Sequence, residues 1–195
     1  DKDYTIAYEN NVNAGTASVI ITGKGSYSGS TAKSFTINPA DLSKASITLS
    51  ASSFIHDGTE KKPEVTISIG QKQLSEETDY TLAYKNNTNI GIASVTASGT
   101  GNYTGSISKS FAIAATDLST ADVKLSAASF TYNGKAITPS VTVTCNGKVL
   151  TNDTDYSVAY ENNINAGTAR VTITGIGAYS GVKTVTFRIK RAKAT

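Results

Sequence analysis

A stretch of the form D-Y-x-x-x-Y-x-N-N-x-N-x-G, then an alternating apolar run, then G-x-G-x-Y-x-G, occurs three times in this chain. Asp3-Tyr4, Asp79-Tyr80 and Asp155-Tyr156 open the copies, and the spacing never slips (79 − 3 = 155 − 79 = 76). A constant period constrains the fold more than any other feature, because it requires tandem copies of one small unit rather than one large domain. In 195 residues it leaves two whole repeats and a remnant. A unit of this size buries only a modest core.

Each copy reads as a series of short strands. In the first, Tyr4, Ile6 and Tyr8 alternate with Thr5, Ala7 and Glu9, the period of a half-buried strand. Asn10, Asn11, Asn13 and Gly15 form a turn cluster of residues that tolerate positive φ. Ala17, Val19 and Ile21 form the next strand, glycines 23, 25 and 29 bracket Tyr27, and a third strand runs to Phe35 and Ile37. Pro39-Ala40-Asp41-Leu42-Ser43 interrupts the strand signals and recurs as Ala115-Thr116-Asp117-Leu118-Ser119. These interruptions place domain boundaries at 1–39 (the C-terminal half of a truncated module), 40–115 and 116–192. A competing frame would start each module at Asp3 and its equivalents.

The two whole repeats add a first half. Ile47 and Leu49 begin a strand, Phe54 and His56 lead into Asp57-Gly58, and Phe130 and Tyr132 lead into Asn133-Gly134. Both dipeptides are strong hairpin signals. Val65, Ile67 and Ile69 match Val141, Val143 and Cys145, with turns expected at Gly70-Gln71 and Asn146-Gly147. Ten tyrosines and 16 glycines, with no Trp or Met, suit β-structure rich in turns. About seven short strands per module predict an all-β chain of tandem immunoglobulin-like antiparallel β-sandwiches, with a small barrel as the alternative.

The long Y-x-x-x-Y-x-N-N-x-N-x-G…G-x-G-x-Y-x-G pattern resembles the repeated Ig-like modules of secreted and cell-surface proteins of Gram-positive, often gut, bacteria. The resemblance covers essentially the whole chain. It implies a β-sandwich, extracellular placement in a secreted or wall-attached protein, and a spacer, stalk or adhesive role; no catalytic residues come with it. The second copy departs from the pattern at Ile92, and Ala97 stands where Ile21 and Ile173 stand elsewhere. Its core is therefore expected to be looser.

Composition excludes some classes and leaves others open. A net charge of +3 is too small to argue for nucleic acid, and no stretch approaches the length of a membrane span. The one basic cluster, Arg188, Lys190, Arg191 and Lys193, reads as a solvated exit linker. A single cysteine forms no intramolecular disulfide. The chain opens in mid-repeat, which implies a fragment whose export signal or anchor lies elsewhere.

The candidate chemistry is thin. Tyrosines recur at three positions per copy; the first two share a face with Ile6, Leu82 or Val158 and read as core, with hydroxyls reaching backbone at the sandwich edge. The third, in the glycine loop, makes Tyr103 and Tyr179 the candidate ligand-binding residues, since sugars stack on aromatic faces; a glycan or a host or cell-wall surface would be the partner. Asp1/Asp3, Glu77/Asp79 and Asp153/Asp155 recur near asparagines, as a calcium site would need, but Lys85 replaces Glu9 and Glu161 in the middle copy. Short Asp and Asn side chains also occupy turns for local reasons. His56 has no sequence partner, and Cys145, in register with Ile69, reads as a small buried hydrophobe whose only potential base lies in the other module. No catalytic or metal-ligand set and no cofactor is expected, and the glycine motif leads into a strand, not the helix of a dinucleotide site. The reading is a non-enzymatic extracellular spacer or adhesive stalk; the alternative is a carbohydrate-binding accessory module of a secreted glycoside hydrolase. Residues 1–39 carry one apolar sheet face without an opposing sheet, so they are expected either to fray or to cover that face by self-association with another chain.

Overall fold

The computed structural model describes residues 2–193. Among them the chain forms two compact units: residues up to Phe54 with Glu60–Ala112, and Ile55–Thr59 with Ile113 onward. It is all-β, apart from two single turns of 3₁₀ helix.

In the remnant, β1 (Tyr4–Glu9), β2 (Gly15–Gly23) and β3 (Ser30–Ile37) form one antiparallel sheet in the order β1-β2-β3. The second repeat contains β4 (Ala40–Asp41), β5 (Ser46–Leu49), β6 (Ser53–Ile55), β7 (Val65–Ile69), β8 (Lys72–Gln73), β9 (Tyr80–Lys85), β10 (Gly91–Gly99), β11 (Tyr103–Thr104) and β12 (Ser106–Ala114). Its sheets are β5-β7-β8 and β6-β12-β10-β9, with the short parallel pair β4-β11 beside them. The third repeat follows the same plan with β13 (Thr116–Asp117), β14 (Asp122–Leu125), β15 (Ser129–Thr131), β16 (Val141–Cys145), β17 (Lys148–Val149), β18 (Tyr156–Glu161), β19 (Gly167–Gly175), β20 (Tyr179–Ser180) and β21 (Val182–Lys190). Sheets β14-β16-β17 and β15-β21-β19-β18 supply the seven main strands of the expected sandwich.

The alternation seen in the sequence is the alternation between core and solvent. Along β19, Ala169, Val171 and Ile173 are fully buried while Thr168, Arg170 and Thr174 are exposed. They meet Val143, Cys145, Leu118, Phe187 and Ile189 in one cluster, where Phe130 and Phe187 pack edge to face with ring centroids 5.5 Å apart. Cys145 is 4 % exposed, on the core face as its register requires. A thiol reagent should therefore label it on the order of 10⁻³ or less as fast as in denaturant, through the unfolded fraction alone. Rapid labelling of native protein would overturn the register of β16.

Three local expectations are corrected. Asp57-Gly58 and Asn133-Gly134 do not close hairpins. The strand before each pairs in parallel with the last strand of its repeat, as Ser129↔Arg188 to Thr131↔Lys190, and the following strand joins the other sheet. Asp57 and Asn133 instead accept hydrogen bonds from the backbone N–H two residues on (Thr59, 2.8 Å; Lys135, 2.9 Å), a side-chain turn that redirects the chain between sheets. Asn146-Gly147, with both φ values positive (49° and 79°), is a true hairpin turn joining β16 to β17. Finally, Arg188 and Lys190 belong to β21 rather than to an exit linker; only Arg191 and Lys193 of that cluster follow the strand.

Candidate functional site

The residues that look most like chemistry are joined to backbone. In the third repeat, the Tyr160 hydroxyl donates to the Pro139 carbonyl at 2.6 Å. Asn163 Nδ2 donates to the Ile137 carbonyl at 3.1 Å, while the Ile137 N–H donates to the Asn163 carbonyl at 2.8 Å. Tyr84 and Asn87 make the same contacts with Pro63 and Lys61 in the second repeat. Thus Y-x-N-N divides its work. The first Asn supplies a left-handed turn (Asn86 φ 57°, Asn162 φ 56°), and the second ties the first half of the repeat to the second half. The pairing partner lies 26 residues back, which no local pattern discloses.

Burial holds the hydroxyls of Tyr80, Tyr84, Tyr156 and Tyr160 above their ordinary pKa of 10.0, since each phenolate would lose its hydration. The folded state therefore prefers the neutral phenol. Its stability is complete below the unfolded value, about pH 10, and falls as pH rises through the raised folded values. Alkaline titration should show tyrosinate absorbance from these four rings emerging together with loss of the far-ultraviolet β signal. Ionisation of all four with the fold intact would contradict their placement.

The glycine loop and the Asp-Leu-Ser interruption form a second clasp. Asp117 precedes the turn Leu118–Thr120, and its carboxylate accepts from the Ser119 N–H (2.9 Å) and hydroxyl (2.7 Å). Those bonds hold the Asp117 carboxyl below the usual carboxylate range. Asp41 and Ser43 repeat the arrangement, and Leu42 and Leu118 are fully buried beneath it. The short strand at each aspartate pairs with the glycine loop, Asp41 with Thr104 and Asp117 with Ser180. A Cβ at Gly105 would lie 2.6 Å from the Asp41 carboxylate oxygen, and one at Gly181 would collide with Asp117. The last glycine of G-x-G-x-Y-x-G is thus set by the aspartate of a segment more than sixty residues earlier in sequence.

The candidate tyrosines also have partners. Tyr103 is buried, and Lys72 Nζ donates to its hydroxyl at 2.7 Å and lies 5.2 Å from its ring centroid. Hydrogen bonding to Tyr103 raises the Lys72 pKa. Tyr179 is half-buried with Lys148 5.7 Å from its ring centroid. Neither lysine was singled out in the sequence, although both sit at the same place in the hairpin.

In the second unit a recess of about 390 Å³ brings together residues distant in sequence: His56, Asp57, Cys145, Asn146, Lys148 and Tyr179 among them. This corrects the expectation that His56 and Cys145 lie in separate surroundings, because the His56 segment belongs to the same compact unit as Cys145. The His56 N–H donates to the Ala114 carbonyl at 2.8 Å, and its buried Nδ1 has no hydrogen-bond partner among the described residues.

The acidic pairs weighed for calcium are turned to local use. Asp79 and Asp155 accept from the backbone N–H of Ser75 (3.0 Å) and Thr151 (2.9 Å), and Glu77 and Asp153 occupy left-handed turn positions. Asp1 lies outside the described residues. Among those residues no group of three or more His, Cys, Asp or Glu gathers in metal-binding geometry, and no helix is long and apolar enough to cross a membrane. No protein-family model and no curated protein matches the chain.

Proposed function

We propose that this chain is a run of extracellular spacer or adhesive-stalk repeats of a bacterial surface or secreted protein, without enzymatic activity. The observation that carries this reading is the parallel pairing of an early strand with the last strand of the repeat. In the third repeat β15 lies beside β21, flanked by hydrogen bonds from Tyr132 N–H to the Lys190 carbonyl and from Arg188 N–H to the Ala128 carbonyl, each 2.9 Å. Tension between the ends of a repeat pulls two such parallel strands in opposite directions, so their hydrogen bonds are loaded together in shear rather than opened one by one. A spacer under tension needs that geometry, and the recurrent Tyr, Asn and Asp side chains support the reading because each reinforces the same repeat.

Single-molecule stretching tests it. Each repeat should unfold as one step with a contour gain of roughly 250 Å, from about 3.3–3.6 Å per residue. Tyr132→Pro, which removes the N–H bonded to Lys190, should lower the force of one step only. Gradual extension without discrete steps would remove the mechanical argument.

The recess at Tyr179 favours a second reading, the carbohydrate-binding accessory module. Lys148 already lies over that ring, so a sugar would have to displace it. A glycan that raises the melting temperature of the intact chain, with the rise abolished by Tyr179→Ala, would favour this alternative.

A further inference from the structure

A feature that recurs in every copy serves the shared fold, so the residues that break the repeat point to something else. Several of them meet at the recess of about 390 Å³ within the second compact unit, a volume in the range of small-molecule pockets. His56 stands there where the third repeat has Tyr132, and Asn146 where the second has Gly70. Ala178 stands where the second repeat has Asn102. Asn102 is engaged at its own place: its Oδ1 accepts from the Ala14 N–H at 2.7 Å, and its Nδ2 donates to Asn13 Oδ1 at 3.0 Å. The methyl of Ala178 makes no such bonds and leaves room. His56 Nδ1 is buried without a hydrogen-bond partner among the described residues. A buried nitrogen in that state calls for a reason, and the imidazole can turn to meet a ligand without breaking a bond there.

We propose that this recess binds a pyranose that carries a carboxylate, such as a uronic or sialic acid residue. The inference rests on the carbohydrate reading of the Tyr179 recess and names the class of sugar it takes. Tyr179, half-buried, supplies an aromatic face, and Ile55 and Ala178 add apolar wall. Lys148 Nζ lies 5.7 Å from the centroid of that ring, and Lys148 forms no salt bridge among the described residues. A neutral sugar that stacks on the ring displaces the ammonium and gives it no ionic partner in return. A sugar with a carboxylate does: the lysine exchanges its place over the ring for a charge-assisted hydrogen bond to the ligand. Asp57, the one carboxylate in the lining among the described residues, is turned to local use, because its Oδ1 accepts from both the N–H (2.8 Å) and the hydroxyl (2.6 Å) of Thr59. Lys148 is therefore the charge that reads the ligand. The Asn146 amide and the His56 imidazole, each with donor and acceptor atoms, suit the ring hydroxyls.

The test titrates the intact chain by calorimetry with trigalacturonic acid, a sialylated trisaccharide and a neutral counterpart of each. An acidic probe should bind one-to-one and about tenfold more tightly than its neutral counterpart, the effect of one hydrogen bond to a charged group. Which acidic probe binds distinguishes a uronate source from a sialate one. Lys148→Gln should remove the preference and bring the acidic probe to the level of the neutral one. Ala178→Asn should abolish binding by filling the recess, and His56→Tyr should weaken it about fivefold through loss of one hydrogen bond. Both of these variants install the residue that another copy holds at the same place, so the fold accommodates them. A neutral sugar that binds as tightly as its acidic counterpart, and is lost in Ala178→Asn, leaves the carbohydrate reading standing and overturns this inference. Failure of all four probes to bind, or binding indifferent to both Lys148→Gln and Ala178→Asn, removes both.

Discussion

Gly181→Ala is expected to destabilise the third repeat by about 2–4 kcal/mol, whereas Gly29→Ala, at the same motif position, costs only about 1–2 kcal/mol. Both glycines have left-handed φ, +79° and +89°, and any L side chain there carries backbone strain. They differ in what a new methyl would meet. At Gly29 nothing lies within 4 Å, while at Gly181 the methyl enters the space of the Asp117 carboxylate. That carboxylate cannot yield without losing its two bonds to Ser119. The measurement is chemical denaturation of each variant, with the third repeat followed through Cys145 accessibility. Equal losses at the two glycines would mean that φ alone matters and that the aspartate clasp does not restrain the loop.

Ile173→Ala should cost about 2–5 kcal/mol in the same repeat, the range for removing a large aliphatic side chain from a core that only partly collapses. Ile173 is fully buried, and it stands opposite Val158 on β18 and Lys183 on β21. For a unit of this size the melting temperature of the third repeat should fall by roughly 10 °C or more. The second repeat already has Ala97 at this place, itself fully buried. The variant should therefore bring the melting of the third repeat towards that of the second, and two transitions in calorimetry should merge. A loss below about 1 kcal/mol would show that neighbouring side chains close the gap, contrary to the close packing expected of such interiors.

Much of the strand layout was legible because period-two alternation is a local property: Tyr156, Val171, Ile173 and Cys145 are buried where the pattern put them. The errors at Asp57-Gly58 and Asn133-Gly134 have one cause. A dipeptide reports which backbone conformations are easy, not which strand is next to it, and both pairs turn the chain between sheets. The lysine partners of Tyr103 and Tyr179 escaped notice for a similar reason, since they meet the rings across tens of residues.

The sequence by itself determined the repeat period, the all-β class, the inward faces of the strands and the positive-φ turns at Asn86 and Asn162, because each follows from backbone geometry and the side chains of a few neighbours. Only the tertiary structure decided which half of a repeat answers the other. It matched Asn163 to Ile137, Tyr160 to Pro139 and Gly181 to Asp117, and it placed His56 and Cys145 around one recess. Those pairings depend on how two sheets stack, and stacking is set by the summed fit of many weak apolar contacts with no local signature in the chain.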